Sequence, residues 1–173
     1  SAAERLRRLA IFVESDASDL PGLAGWEALA RIYSAAARRD PESAEVAISS
    51  SISAQRVGEM TQVQTHREQL WSISEQSARR AVDLAPTEAR AHYALGHILY
   101  ACHRTEEALE AFECSIGSDP DPATAAWANL YHAHCLHDLG RWQQALESYD
   151  RVDRSEFCGV RMWRSDVLTE QRA

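Results

Sequence analysis

Pro86 and Pro120 stand 34 residues apart, and the stretch between them has room for two helices and a turn. It reads His92-x2-Leu95-Gly96-x2-Leu99, then Ala108-x3-Phe112, then Pro120. Leu95 and Leu99 lie one turn apart on one helical face. Gly96 leaves room for a second helix to approach. Ala108 and Phe112 supply the matching small-then-large ridge, and Pro120 ends that ridge because its ring cannot continue the hydrogen-bond ladder. A chain with this punctuation is constrained to antiparallel helical hairpins.

The next segment repeats the second half of the pattern. Ala145-x3-Tyr149 follows Ala108-x3-Phe112 by 37 residues, and the extra three fit in the turn Asp119-Pro120-Asp121-Pro122. Its first helix departs further: Asn129, His132 and Ala133 take the places of His92, Leu95 and Gly96. Gly140 suits the left-handed residue that closes a helix.

Tryptophans carry the register backwards. Trp26 precedes Pro41 by 15 residues and Trp71 precedes Pro86 by 15; Trp142 precedes Tyr149 by seven, as Trp26 precedes Tyr33. These three are expected to open second helices and to lie in the core. Trp26 and Trp71 are 45 residues apart, one period plus 11, and eleven residues make about three helical turns. The insertion is therefore expected in a long first helix over 43–67, weakened by Gly58 and by the serines Ser49 to Ser51, which compete for backbone groups. Nine helices are predicted: 2–15, 26–40, 43–67, 71–85, 88–102, 105–118, 123–139, 141–153 and 158–172.

A 34-residue period with Leu-Gly, Ala-x3-aromatic and Pro at these offsets resembles the tetratricopeptide repeat. His92 stands where that family has Trp, and Leu99 where it has Tyr. The resemblance is strong over 87–153, fair over 70–86 and weak over 1–69. It implies an all-α solenoid of antiparallel hairpins in a right-handed superhelix, as one domain over 1–173. The units are a degenerate hairpin (1–41), a hairpin with a lengthened first helix (42–86), the best repeat (87–120), a further repeat (121–157) and a capping helix (158–173) in which Met162, Trp163 and Val167 cover the last hairpin.

Composition agrees with a helical array. Ala, Leu, Glu, Arg and Gln dominate, and Gly and Pro number only 7 and 5 of 173 residues. The charge, 18 basic against 26 acidic, is −8. With no basic run longer than two, a nucleic-acid or anionic-membrane surface is not expected. All 18 basic residues are arginine, which removes Schiff-base, P-loop and kinase lysine chemistry together. It also hints at a GC-rich bacterial gene. Cys102, Cys114, Cys135 and Cys158 form no CxxC pair and read as small buried hydrophobes in a reducing cytoplasm. No stretch approaches 18 apolar residues.

The resemblance implies a protein-interaction or scaffold module whose first helices line a concave groove. On the 87–120 unit, Arg90, Tyr93, His97 and Tyr100 make one stripe at spacings of 3, 4 and 3. Adding 37 gives Trp127, Leu130, His134 and His137. Subtracting 34 from Arg90 gives Arg56. Aromatic, His and Arg side chains of this kind form binding hot spots; the alternative is that Tyr93, Trp127 and Leu130 only seal adjacent first helices. The Lys/Asn carboxylate clamp of some family members is absent, because the chain has no Lys and its one asparagine, Asn129, falls on the packing face. Arg90 or Arg56 is a candidate for holding a carboxylate or phosphate. The expected partner is a protein or peptide segment, with no cofactor, and an oligomer is compatible with such an array.

Two rival readings remain. His97, His134 and His137 share a predicted face, and three imidazoles can hold Zn²⁺ with an open position; as free groups they would protonate near pH 6.5 and favour anionic ligands in acid. The other rival is a regulatory or assembly region of a larger bacterial protein. No hydrolytic triad, phosphate loop or dinucleotide fingerprint is assembled by the sequence, so no catalytic residue is assigned.

Overall fold

The computed structural model describes residues 22–152. The helices expected over 2–15 and 158–172 lie outside the described residues. Within them every regular element is a helix: α1 Gly22–Arg39, α2 Ala44–Met60, α3 Gln64–Leu84, α4 Ala89–Ala101, α5 Thr105–Gly117, α6 Pro122–Asp138 and α7 Trp142–Arg151. The chain divides into two compact units after Pro86.

In the first unit α2 packs against α1 on one side and α3 on the other. Ser43 caps α2, its hydroxyl accepting from the Val46 amide. The serine run does not interrupt the helix, because the Ser50 and Ser51 hydroxyls are buried and meet Ser77 and Ser74 across the seam. Ser51 Oγ lies 3.0 Å from Ser74 Oγ, which also donates to the Ser51 carbonyl at 2.9 Å. Ser53 Oγ donates back to the Ser49 carbonyl. Small side chains here bring α2 and α3 close, and Ala54, Val57, Ala78 and Ala81 complete the seam.

The first helix of this hairpin does not run to residue 67 as expected. It stops at Met60, and Thr61 is extended at φ −75°, ψ 140°. Two side chains account for the break. The Trp71 indole occupies the space beside Gly58, where a Cβ would sit 2.7 Å from its ring. Arg67 reaches back to donate to the carbonyls of Gly58 (3.2 Å) and Thr61 (2.8 Å), satisfying helix-end acceptors. The extra residues therefore lengthen the second helix, α3, to 21 residues. Trp71 does not open it but lies two turns in.

The second unit contains two hairpins, α4–α5 and α6–α7, which share one core. Ala108, Phe112, Ala145 and Tyr149 are all 0% exposed, as the ridge pattern requires. Phe112 covers Gly96. Ser115 Oγ ties α5 to the Ala89 carbonyl at 2.9 Å. Each hairpin closes with the same turn. Arg104 N bonds the Leu99 carbonyl and Arg141 N the Leu136 carbonyl, and the intervening His103 (φ 58°) and Gly140 (φ 70°) are left-handed. Pro122 opens α6 at its first turn, where a missing amide costs nothing, behind an Asp121 cap.

Candidate binding face

The residues that join α4 to α6 form one aromatic cluster centred on Tyr131. Its ring lies 4.5 Å from His97 edge-on, 5.8 Å from Tyr100, 5.7 Å from Phe112, 6.2 Å from Trp127 and 5.9 Å from His134. Aromatic contacts of this geometry add to simple area burial. Tyr131 is the residue of this candidate face that the sequence reading misses. The stripe of α6 that meets α4 is Trp127, Tyr131, His134 and Asp138, spaced 4, 3 and 4, whereas the transferred stripe is 127, 130, 134 and 137.

That difference decides which candidates are accessible. Leu130 is 2% exposed and belongs to the core, so it is not a surface residue. His97 is 8% exposed and stacks under Tyr93 at 5.6 Å, so it supports the face from beneath. His137 lies half-buried in the last turn of α6, one residue off the stripe that carries His134 and Asp138. Trp127 is 40% exposed, Arg90 is exposed, and Tyr93, Tyr100 and His134 are half-buried. Arg56 belongs to the first unit, on α2, where Glu59 pairs with it at 3.1 Å. Trp71 and Trp142 are partly buried and Trp26 packs on Leu29 and Tyr33, in keeping with roles in packing.

Polar contacts fix the ring orientations. The Tyr100 hydroxyl donates to Asp138 Oδ2 at 2.9 Å. Burial, and then that carboxylate, push the phenol well above its ordinary range, so it stays a neutral donor. His134 Nδ1 lies 2.8 Å from the Tyr149 hydroxyl. Burial lowers the pKa of His134 to about 4, so it is neutral at physiological pH. Burial thus opposes the protonation of His134 that the sequence leads one to expect around pH 6.5. At the mouth of the face, the hydroxyl and amide of Thr124 hold the Asp121 carboxyl below its usual range, with a smaller pull from Arg90.

The three-imidazole arrangement does not form: among the described residues no three His, Cys, Asp or Glu side chains gather as a metal site. His132 points to the opposite side of α6. Its Nδ1 lies 2.8 Å from Ser148 Oγ on α7, and its Nε2 lies 3.7 Å from Glu113 on α5. The row has the composition of a nucleophile, base and acid. However, Ser148 is 2% exposed in mid-helix, with its backbone committed to the ladder, so the row serves to tie α5, α6 and α7. Burial lowers the pKa of His132 as well. Cys135 is buried, and its thiol is pushed up to about 12 by burial, the behaviour of an inert small hydrophobe. Cys114, in contrast, is exposed and Cys102 half-buried, against the expectation of burial for all four; Cys158 lies outside the described residues. No described helix is long and apolar enough to cross a membrane.

No family model matches the sequence, and no curated protein matches it significantly. Solved structures do match its fold. A thermophilic TPR protein from Thermus thermophilus superposes with a TM-score of 0.68 at 15% identity, covering 96% of this chain and 81% of that one. A MamA protein structure gives 0.64 at 15% identity over 98% of this chain and 90% of its own. A second MamA structure gives 0.63 at 16% identity, with 92% and 94% covered. The chain therefore has the tetratricopeptide-repeat fold, as an all-α array of helical hairpins.

Proposed function

We propose that this chain is a protein-interaction module that holds a segment of another protein on the α4–α6 face, by binding and not by catalysis. The observation that carries the reading is the half-exposed layer of rings formed by Tyr93, Tyr100 and Trp127 around Tyr131. Rigid rings already packed against one another offer contact area with little entropy left to lose on binding. Arg90 at one end and Asp138 at the other add charged anchors of opposite sign, and His134 supplies a neutral edge. His97 and Leu130 hold this surface from below. Arg56, on the first unit, is a separate candidate for holding a carboxylate. The fold shared with repeat proteins supports a scaffold role, and the thiols of Cys114 and Cys135 support a reducing cytoplasm.

The test is a pull-down from the encoding organism with the wild type beside a Tyr93→Ala, Trp127→Ala double variant. A specific partner lost by the variant, whose far-UV circular dichroism is unchanged, is the expected result. A folded variant that retains every partner removes this face from consideration.

A further inference from the structure

We infer that the groove between α1 and α3 docks a short amphipathic helix that carries carboxylates beside its apolar stripe. This site is on the first unit and stands independently of the α4–α6 face.

The groove has a volume of about 320 Å³. Its floor is Ala54 and Val57 of α2, which are 3% and 2% exposed, and its far wall is Leu70 and Ile73 of α3. Ile73 is 45% exposed, a large apolar side chain left in water beside an apolar floor. The near wall is a single stripe of α1, Glu27, Arg31, Ser34 and Arg38, spaced 4, 3 and 4. It runs roughly 16 Å along the helix, or three turns.

The second unit contains the corresponding groove, between α5 and α7 over α6, and there the chain fills it. Helices α2 and α6 are both 17 residues long. Ala54 follows the first residue of α2 by ten, as His132 follows the first residue of α6. His132 rises into its groove to meet Ser148 and Glu113, and only about 160 Å³ is left, lined by Arg141 and Arg151 together with Glu147. In the first unit the same position holds a methyl group. The groove is twice as large, and Arg31 and Arg38 make no ion pair among the described residues.

The helical walls and the local charge both select a helix that carries carboxylates. The walls are helices whose backbone groups are spent internally, so they offer an extended segment no strand-like pairing, whereas a helix satisfies its own amides and carbonyls. Arg31 and Arg38 outnumber Glu27 around the groove, on a chain whose net charge is −8. An acidic helix is repelled by most of this protein and attracted here, which gives specificity as well as affinity.

The experiment measures fluorescence anisotropy of labelled helical peptides with the full chain. One peptide carries a Leu stripe flanked by Glu, a second the same stripe flanked by Lys, and a third the Glu flanks with the stripe changed to Ser. The Glu-flanked Leu peptide is expected to bind, to weaken with salt, and to lose about tenfold or more in affinity to Arg31→Glu, Arg38→Glu. Ala54→His, which copies the filled groove, and Ile73→Ser are expected to weaken it with little change in circular dichroism, so the test survives if the charge reversal misfolds. The Tyr93→Ala, Trp127→Ala variant should bind this peptide as the wild type does. Absence of binding, equal binding of the Lys-flanked or Ser-striped peptide, or loss only in the Tyr93, Trp127 variant overturns the inference. So does failure of the peptide alongside a concentration-dependent dimer that Arg31→Glu, Arg38→Glu abolishes, which would assign the groove to a second copy of the chain.

Discussion

The Phe112 ring lies against the backbone of Gly96, so close that a methyl group on that residue would sit 2.8 Å from the ring. Phe112 is 0% exposed and held by Tyr93 and Tyr131, so it cannot swing away. Gly96→Ala is therefore expected to destabilise the chain by about 1–3 kcal/mol through overpacking. Gly58→Ala should do comparable harm against the Trp71 indole, while Gly117→Ala, where nothing lies within 4 Å, should not destabilise. Urea midpoints that do not move for Gly96→Ala would contradict this packing.

The two hairpin turns of the second unit make a matched pair. His103 and Gly140 occupy the same left-handed position, at φ 58° and 70°. A side chain there costs about 1–2 kcal/mol relative to its ordinary conformation. His103→Gly is expected to raise stability by about 0.5–1 kcal/mol, after the greater freedom of Gly in the unfolded chain is subtracted. Gly140→Ala is expected to lower it, and since no atom lies within 4 Å of the added Cβ, the loss is conformational alone. Thermal unfolding of both variants checks the pair; opposite signs are required.

Much of this was readable beforehand, and the exceptions have physical causes. The α5 ridge, Ala108 and Phe112, stands where the Ala-x3-aromatic spacing puts it, because a buried ridge tolerates no slip. Tyr131 escapes the same arithmetic. The stripe on α6 that faces α4 is set by packing across α5, and the transferred offset of 37 lands on Leu130 one residue away, which is enough to exchange surface for core. The break at Met60 escapes for another reason: it depends on Arg67 and Trp71 folding back from the next helix, a contact that no local propensity records. The serines of α2 mislead because their hydroxyls bond across to Ser74 and back to their own helix instead of competing with it.

Acid should weaken the fold through His134. Its folded pKa, about 4, lies below its unfolded value near 6.5, so the unfolded chain binds the extra proton. Stability is then full above about pH 6.5 and falls as pH drops towards 4, by about 1–3 kcal/mol. His132 is shifted in the same direction by burial and adds to the slope. Asp121, held low by Thr124, extends the loss to lower pH. His134→Gln should flatten the window. An NMR titration placing His134 near 6.5 would remove the effect.

A serine pair joins α2 to α3. Ser51 and Ser74 are both 0% exposed, and the bonds between them are unequal. Ser74 Oγ meets both the hydroxyl and the carbonyl of Ser51, at 3.0 and 2.9 Å. Ser51→Ala leaves Ser74 its carbonyl acceptor, and should cost at most about 1 kcal/mol. Ser74→Ala removes both bonds and strands the buried Ser51 hydroxyl, and should cost about 1–3 kcal/mol. Because the alanine variants are nearly isosteric, no cavity larger than an oxygen atom complicates the comparison. The double variant deletes both partners and is expected to be less destabilised than the two single losses added together. Strict additivity in a double-mutant cycle, or a larger loss for Ser51→Ala than for Ser74→Ala, would mean that the hydroxyls do not hold the helices together and that the close approach of α2 and α3 rests on their small size alone.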